Sequence, residues 1–197
     1  MGSEQFRAIG ADETVTTLFR DTLAARPSAV ALRARNGDTW EEWTWTDLAD
    51  RAARLAAGLG SLGVGRGSRV VLMMRNRPDF HALDLAVLLC GATPISIYNS
   101  SAPEQIEYLV DHCEATVAIA EDVPFLERFL KARAELPLLE HLVVVADPDG
   151  LAPGDVVRID ALLAHEPVSI DEAVTIAQPD DLATVIYTSG TTGPPKG

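Results

Sequence analysis

Apolar positions recur at helical spacing over residues 15–26, where Val15, Leu18, Phe19, Thr22 and Leu23 share one face and Pro27 ends the run. Two strand-like runs follow, 30–35 and 40–45, around Asn36-Gly37-Asp38. Asn-Gly adopts positive φ readily, so the pattern predicts a β-hairpin. Val30, Leu32 and Ala34 fall on one side of the first run, Arg33 and Arg35 on the other. Trp43 and Trp45 also share a face and are expected in core or hairpin packing. Residues 46–62 carry a stripe of Leu48, Ala52, Leu55, Leu59 and Leu62, with Thr46 as the expected N-cap and Gly63 and Gly65 as the stop.

Beyond this stripe the pattern alternates. Residues 70–74, 93–97, 116–120 and 141–145 are short apolar runs expected as neighbouring parallel strands. Between them, 78–90 is apolar nearly all round, which predicts a buried helix. Ser101 and Glu104 form an expected capping box ahead of Ile106, Leu109, Val110 and Cys113, and 123–136 reads as another helix. Strands alternating with helices of this length predict an α/β fold, a doubly wound and mostly parallel sheet flanked by helices, with the hairpin preceding it. Residues 146–178 are looser, with several Pro and Gly and one short helix expected at 159–165. Residues 182–187 predict a last strand. The expected division is a first α/β subdomain over 1–178, then a strand and loop over 179–197.

Composition narrows the function classes. The 197 residues carry 16 Lys+Arg against 29 Asp+Glu, a net charge of −13, with 47% hydrophobic and 23% charged residues. That is ample material for a core and argues against disorder. A negative chain without a basic cluster argues against nucleic-acid binding. The longest apolar stretch, 85–92, falls well short of the ~20 residues of a membrane span. The first residues lack the apolar core of a signal peptide. Cys90 and Cys113 sit in apolar helical patterns and read as buried free thiols, which points to a reducing, cytoplasmic setting. His81, His112, His141 and His165 are scattered without metal-ligand spacing, so no metal site is expected. Arg75-Asn76-Arg77 reads as a solvated loop or as packing at a helix N-terminus, although it follows a strand, where open sheets bind ligands.

One stretch carries chemistry: Tyr187-Thr188-Ser189-Gly190-Thr191-Thr192-Gly193-Pro194-Pro195-Lys196-Gly197. Its glycines let backbone N–H groups converge on an anion, its hydroxyls add donors, and Lys196 adds a mobile positive charge. Between Arg158 and Lys196 lie six acids and no basic residue, so this cation stands out. It is no Walker A loop, because Pro195 precedes the lysine and Gly197 follows it.

All eleven positions resemble the phosphate-binding loop of the adenylate-forming superfamily, which includes acyl-CoA synthetases, luciferases and peptide-synthetase adenylation domains. Trp43-Thr44-Trp45-Thr46-Asp47-Leu48 and Gly91-Ala92-Thr93-Pro94 resemble further passages of that family. Ile97-Tyr98-Asn99-Ser100-Ser101-Ala102-Pro103-Glu104-Gln105-Ile106-Glu107-Tyr108 is most similar to the long-chain fatty acyl-CoA synthetase branch, although the main physical role expected for 99–104 is a capped helix start.

The resemblance implies an ATP-dependent, AMP-forming fatty-acid–CoA ligase that takes a fatty acid, ATP with Mg²⁺ and coenzyme A. Thr188, Ser189, Gly190, Thr191, Thr192, Gly193 and Lys196 would bind the ATP phosphates. The family's adenine pocket, Mg²⁺-holding glutamate, ribose-binding aspartate and catalytic lysine belong to later motifs. No catalytic residue or metal ligand is therefore expected here. The chain reads as an N-terminal fragment, inactive alone, whose unpaired last strand leaves residues 178–197 the least ordered part, with self-association through that strand as the competing outcome. Peripheral membrane association is compatible with the long-chain branch. Two alternatives stay open: a non-catalytic truncated product, or a self-contained nucleotide- or phosphate-binding α/β module.

Overall fold

Val70 and Leu72 point to one side of a sheet, Val71 and Met73 to the other, and all four are fully buried. Such a strand is stable only with cover on both faces. The computed structural model, which describes residues 10–188 and 195–197, supplies that cover. In chain order the elements are α1 (Val15–Ala25), β1 (Val30–Asn36), β2 (Thr39–Thr44), α2 (Trp45–Ser61), β3 (Arg69–Met73), α3 (Pro78–Leu89) and β4 (Thr93–Ser96). They continue with α4 (Pro103–His112), β5 (Val117–Asp122), α5 (Val123–Ala132), β6 (His141–Ala146), β7 (Val157–Arg158), α6 (Ile159–Leu163) and α7 (Ile170–Ala173). The sheet order is β4-β3-β5-β6-β7, parallel throughout, with the four expected strands as neighbours.

Helices α2, α3, α6 and α7 cover one face, where Leu55, Leu59 and Leu83 meet Val70, Leu72 and Ile119. Helices α4 and α5 cover the other, where Ile106, Leu109, Phe125 and Phe129 meet Val71, Ile95 and Ala118. Helix α3 is sandwiched between α2 and the sheet, which explains its apolar circumference. Gly58 lets α2 touch α6: a Cβ there would lie 2.6 Å from the Leu162 Cα. No helix among the described residues is long and apolar enough to cross a membrane.

The hairpin forms, with Asn36 opposite Thr39 and Gly37 at φ +60° in the turn. Its expected face is corrected by a register shift between Val30 and Leu32, which leaves Val30 exposed while Ala31 and Leu32 both pack on the core. Trp43 and Trp45 pack against the same core, Trp45 with its ring 6.0 Å from Phe19.

Two caps are also corrected. Thr44, not Thr46, caps α2: its hydroxyl accepts the Asp47 amide while the Asp47 carboxylate accepts the Thr44 amide at 2.8 Å. Thr44 has an acid three residues on, whereas Thr46 has Ala49. Thr46 instead donates its hydroxyl to the Pro27 carbonyl. Helix α4 starts at Pro103, the favoured N1 residue, which makes Ala102 its N-cap. The Gln105 side chain accepts the Ala102 amide, and Ser101 is buried beneath.

Candidate functional site

Residues 182–187 run alongside β4 but do not join the sheet, so the expected last strand is corrected. The cause lies in β4. The Thr93 and Ile97 amides donate inward to the Ser68 and Leu72 carbonyls, which turns Pro94 and Ser96 toward the free edge. Pro94 has no N–H to offer there. Side chains make the links instead: the Thr93 hydroxyl donates to the Leu182 carbonyl at 3.0 Å, and the Thr184 hydroxyl to the Pro94 carbonyl at 3.1 Å. Leu182 and Ile186 remain 60% and 72% exposed, whereas Val185 and Tyr187 pack on the core beside α4.

This segment leads into the first stem of the glycine-rich loop, and residues 195–197 form the second. Thr188 and Lys196 exchange both backbone hydrogen bonds, at 2.9 and 3.1 Å, in an antiparallel bridge. The structure thus brings together the first and last of the expected phosphate-binding residues. Ser189, Gly190, Thr191, Thr192 and Gly193 lie outside the described residues. Lys196 is exposed and makes no ion pair among the described residues. Gly197 belongs to the packing: a Cβ there would meet the Tyr187 ring at 2.8 Å and Val185 at 2.9 Å.

Helix α4 flanks both stems, a contribution that sequence reasoning missed. The Tyr108 hydroxyl donates to the Pro195 carbonyl at 3.0 Å, and His112 Nδ1 lies 2.8 Å from the Tyr187 hydroxyl. Burial pushes the Tyr187 hydroxyl up to about 12, so it keeps its proton at neutral pH. Between the loop after β4 and the incoming stem lies a cavity of about 270 Å³, walled by Ile97, Tyr98, Leu109, Ile186 and Tyr187.

One of the six acids on the approach is tied away from the loop. Asp181 pairs bidentately with Arg66, at 2.8 and 2.9 Å, and accepts the Gln178 amide at 2.9 Å. The hydrogen bonds from Arg66 and Gln178 hold its carboxyl at about 2. Its folded value lies below the unfolded one, so its contribution to stability is present above about pH 4 and lost as the pH falls toward 2. Asp181→Asn is expected to flatten the acid limb of stability in that window. Acid titrations of the two proteins followed by circular dichroism check this, and superimposable acid limbs would contradict it.

The Arg75–Arg77 cluster occupies a different place. Connections from β3 and β5 leave toward opposite faces, and a crevice at such a divergence is where open α/β sheets bind ligands. Here the chain fills it with its own charges. Arg75 pairs with Glu121 and Asp122 at 2.9 and 2.8 Å, and Arg77 with Asp79 at 2.7 Å and Glu121 at 3.6 Å. Arg51 completes the chain of pairs on Asp79. The expected solvated loop and helix N-terminal packing are both present, with Arg77 at the N-cap of α3 and paired to Asp79 in its first turn, and the ion pairs to Glu121 and Asp122 are what the sequence did not display. Cys90 and Cys113 are buried free thiols, pushed by burial up to about 12 and about 11.

Residues 19–197 match the AMP-binding enzyme family. An uncharacterized protein of Mycobacterium tuberculosis strain H37Rv is 40% identical over 140 residues, covering 71% of this chain and 75% of that protein. The long-chain-fatty-acid–CoA ligase FadD15 of the same organism is 30% identical over 190 residues, 96% of this chain but only 31% of the ligase. In solved structures, the fold is similar to that of the anthranilate CoA ligase AuaEII in complex with anthranoyl-AMP, with a TM-score of 0.81 and 23% identity over 95% of this chain and 34% of that one. An acyl-CoA synthetase of Brucella canis aligns with a TM-score of 0.70 and 26% identity over 86% of this chain and 30% of its own. This chain thus spans about a third of the CoA ligases it matches. With a family match from residue 19 to residue 197, the chain belongs to the AMP-binding enzymes.

Proposed function

We propose that this chain is the phosphate-binding first part of an ATP-dependent, AMP-forming long-chain fatty acyl-CoA synthetase. The observation that carries this is the closure of the Gly/Ser/Thr loop by the Thr188–Lys196 bridge, in a chain matched over 96% of its length by a long-chain-fatty-acid–CoA ligase. In the complete reaction a fatty carboxylate oxygen bonds to the ATP α-phosphorus, and pyrophosphate leaves with the bonding electrons. Coenzyme A thiolate then attacks the acyl carbon and AMP departs. Negative charge builds on the pyrophosphate only in the first step. Loop N–H groups, the hydroxyls of Thr188, Ser189, Thr191 and Thr192, and the Lys196 ammonium are the donors suited to that charge. Mg²⁺ would accompany ATP, and no residue of this chain is assigned to it.

The test is a fusion of residues 1–197 to the remainder of FadD15, assayed for fatty-acid-dependent ATP–pyrophosphate exchange. Exchange by the fusion, with none from the chain alone, is the expected result. In the fusion, Lys196→Ala should slow adenylation and spare thioester formation from pre-made acyl-adenylate. Equal loss in both half-reactions would contradict the assignment.

The uncharacterized mycobacterial relative favours a second reading, a self-contained phosphate-binding module, because three-quarters of that protein is matched. ATP binding by the chain without any exchange activity in the fusion would support it. A cytoplasmic setting, peripheral membrane association and self-association along the exposed Leu182 and Ile186 edge are further parts of the proposal. The last is checked by the mass of the purified chain at increasing concentration.

A further inference from the structure

We propose that Tyr108 and His112 of α4 are positioning residues for the glycine-rich loop, holding its two stems in register before an anion arrives. The proposal rests on the phosphate-loop assignment above and adds to it the element that presets the loop. Tyr108 and His112 stand one turn apart on α4 and so share a face, their rings 5.5 Å apart. Each takes a different stem. His112 meets Tyr187, the residue before Thr188, edge-on as well as through the 2.8 Å polar contact. Tyr108 donates to the carbonyl of Pro195, the residue before Lys196.

Among the described residues, the stems are otherwise joined by one pair of backbone hydrogen bonds and by the packing of Gly197 on Tyr187 and Val185. A two-stranded pairing that short is marginal in water. Helix α4 can supply what is missing because it is itself fixed: Ile106, Leu109 and Val110 are buried against the sheet. Pro195 has no N–H, so its carbonyl is the backbone group it can offer, and the Tyr108 hydroxyl donates to it. Neither side chain belongs to the eleven-residue motif, so each acts through the stems. Fixing the stems at the moment of binding weakens affinity, and stems fixed beforehand avoid that loss.

The experiment compares the chain with Tyr108→Phe, His112→Ala and His112→Gln. Hydrogen exchange is read at the Thr188 and Lys196 amides, and affinity for inorganic pyrophosphate is read from amide chemical shifts. Tyr108→Phe and His112→Ala are each expected to speed exchange at both stem amides and to weaken pyrophosphate binding roughly three- to tenfold, about the worth of one hydrogen bond. His112→Gln, which keeps a polar group near Tyr187, should recover part of the loss. Exchange at Leu72 and Ile119 in the core should stay unchanged, which separates loosening of the loop from unfolding. Unaltered stem exchange and unaltered affinity in both deletions would overturn the proposal. If pyrophosphate fails to bind the unaltered chain, the phosphate-loop assignment fails, and exchange at Thr188 and Lys196 alone decides whether α4 positions the stems.

Discussion

Lys196→Ala is expected to weaken pyrophosphate binding by the chain roughly ten- to hundredfold, the equivalent of one charge-assisted hydrogen bond. The ammonium has no ion pair among the described residues, and no other Lys or Arg lies between it and Arg158 in the sequence. Its backbone sits in the Thr188 bridge, and alanine keeps both of those hydrogen bonds. The substitution therefore removes charge without removing the stem. Lys196→Arg should retain much of the affinity. Isothermal titration of the three proteins distinguishes these outcomes, and an alanine variant that binds as tightly as the unaltered chain would contradict the role given to this lysine.

The second large effect lies away from the loop. Glu121→Ala is expected to destabilise the fold by about 2–3 kcal/mol. Glu121 is buried at the carboxyl end of β5, where it accepts the Arg75 amide and the Arg75 guanidinium and attracts Arg77. Its removal leaves a backbone donor without its acceptor and brings two guanidinium groups together without the anion between them. The figure is kept below the cost of breaking a fully buried pair because both arginines reach water, with Arg75 half exposed. For the same reason Arg75→Ala should cost less, about 1 kcal/mol. Urea unfolding of both variants tests the order. A Glu121→Ala variant within about 0.5 kcal/mol of the unaltered chain would show that the network contributes little.

These two effects fall on residues that differ in how plainly the sequence displays them. Lys196 is visible because its motif is contiguous and its surroundings are acidic. Glu121 is not, because its partners come from 46 residues away at Arg75 and no local period marks such a pair. The same limit hid Tyr108 and His112, whose partners lie 87 and 75 residues downstream. The sheet was legible for the opposite reason. Residues in β3, β5 and β6 are apolar at every position of their centres, and that forces burial on two faces whatever the neighbours are. The edge was harder to read. Residues 182–187 have the composition of a strand, yet a strand also needs a partner with free amides, and Pro94 removes one from β4. The caps failed on a smaller scale: at α2 two threonines competed and only Thr44 has an acid three residues on, whereas at α4 Pro103 took the first helical position and moved the cap from Ser101, despite its Glu104, to Ala102.

The measurement that bears most directly on the central claim is a map of where inorganic pyrophosphate perturbs the amide spectrum of the chain. Perturbation centred on Thr188, Lys196 and the residues between them, together with Tyr108 and His112, is the predicted result. An undisturbed loop, with the shifts gathered instead at Arg75 and Arg77 in the crevice between β3 and β5, would contradict it.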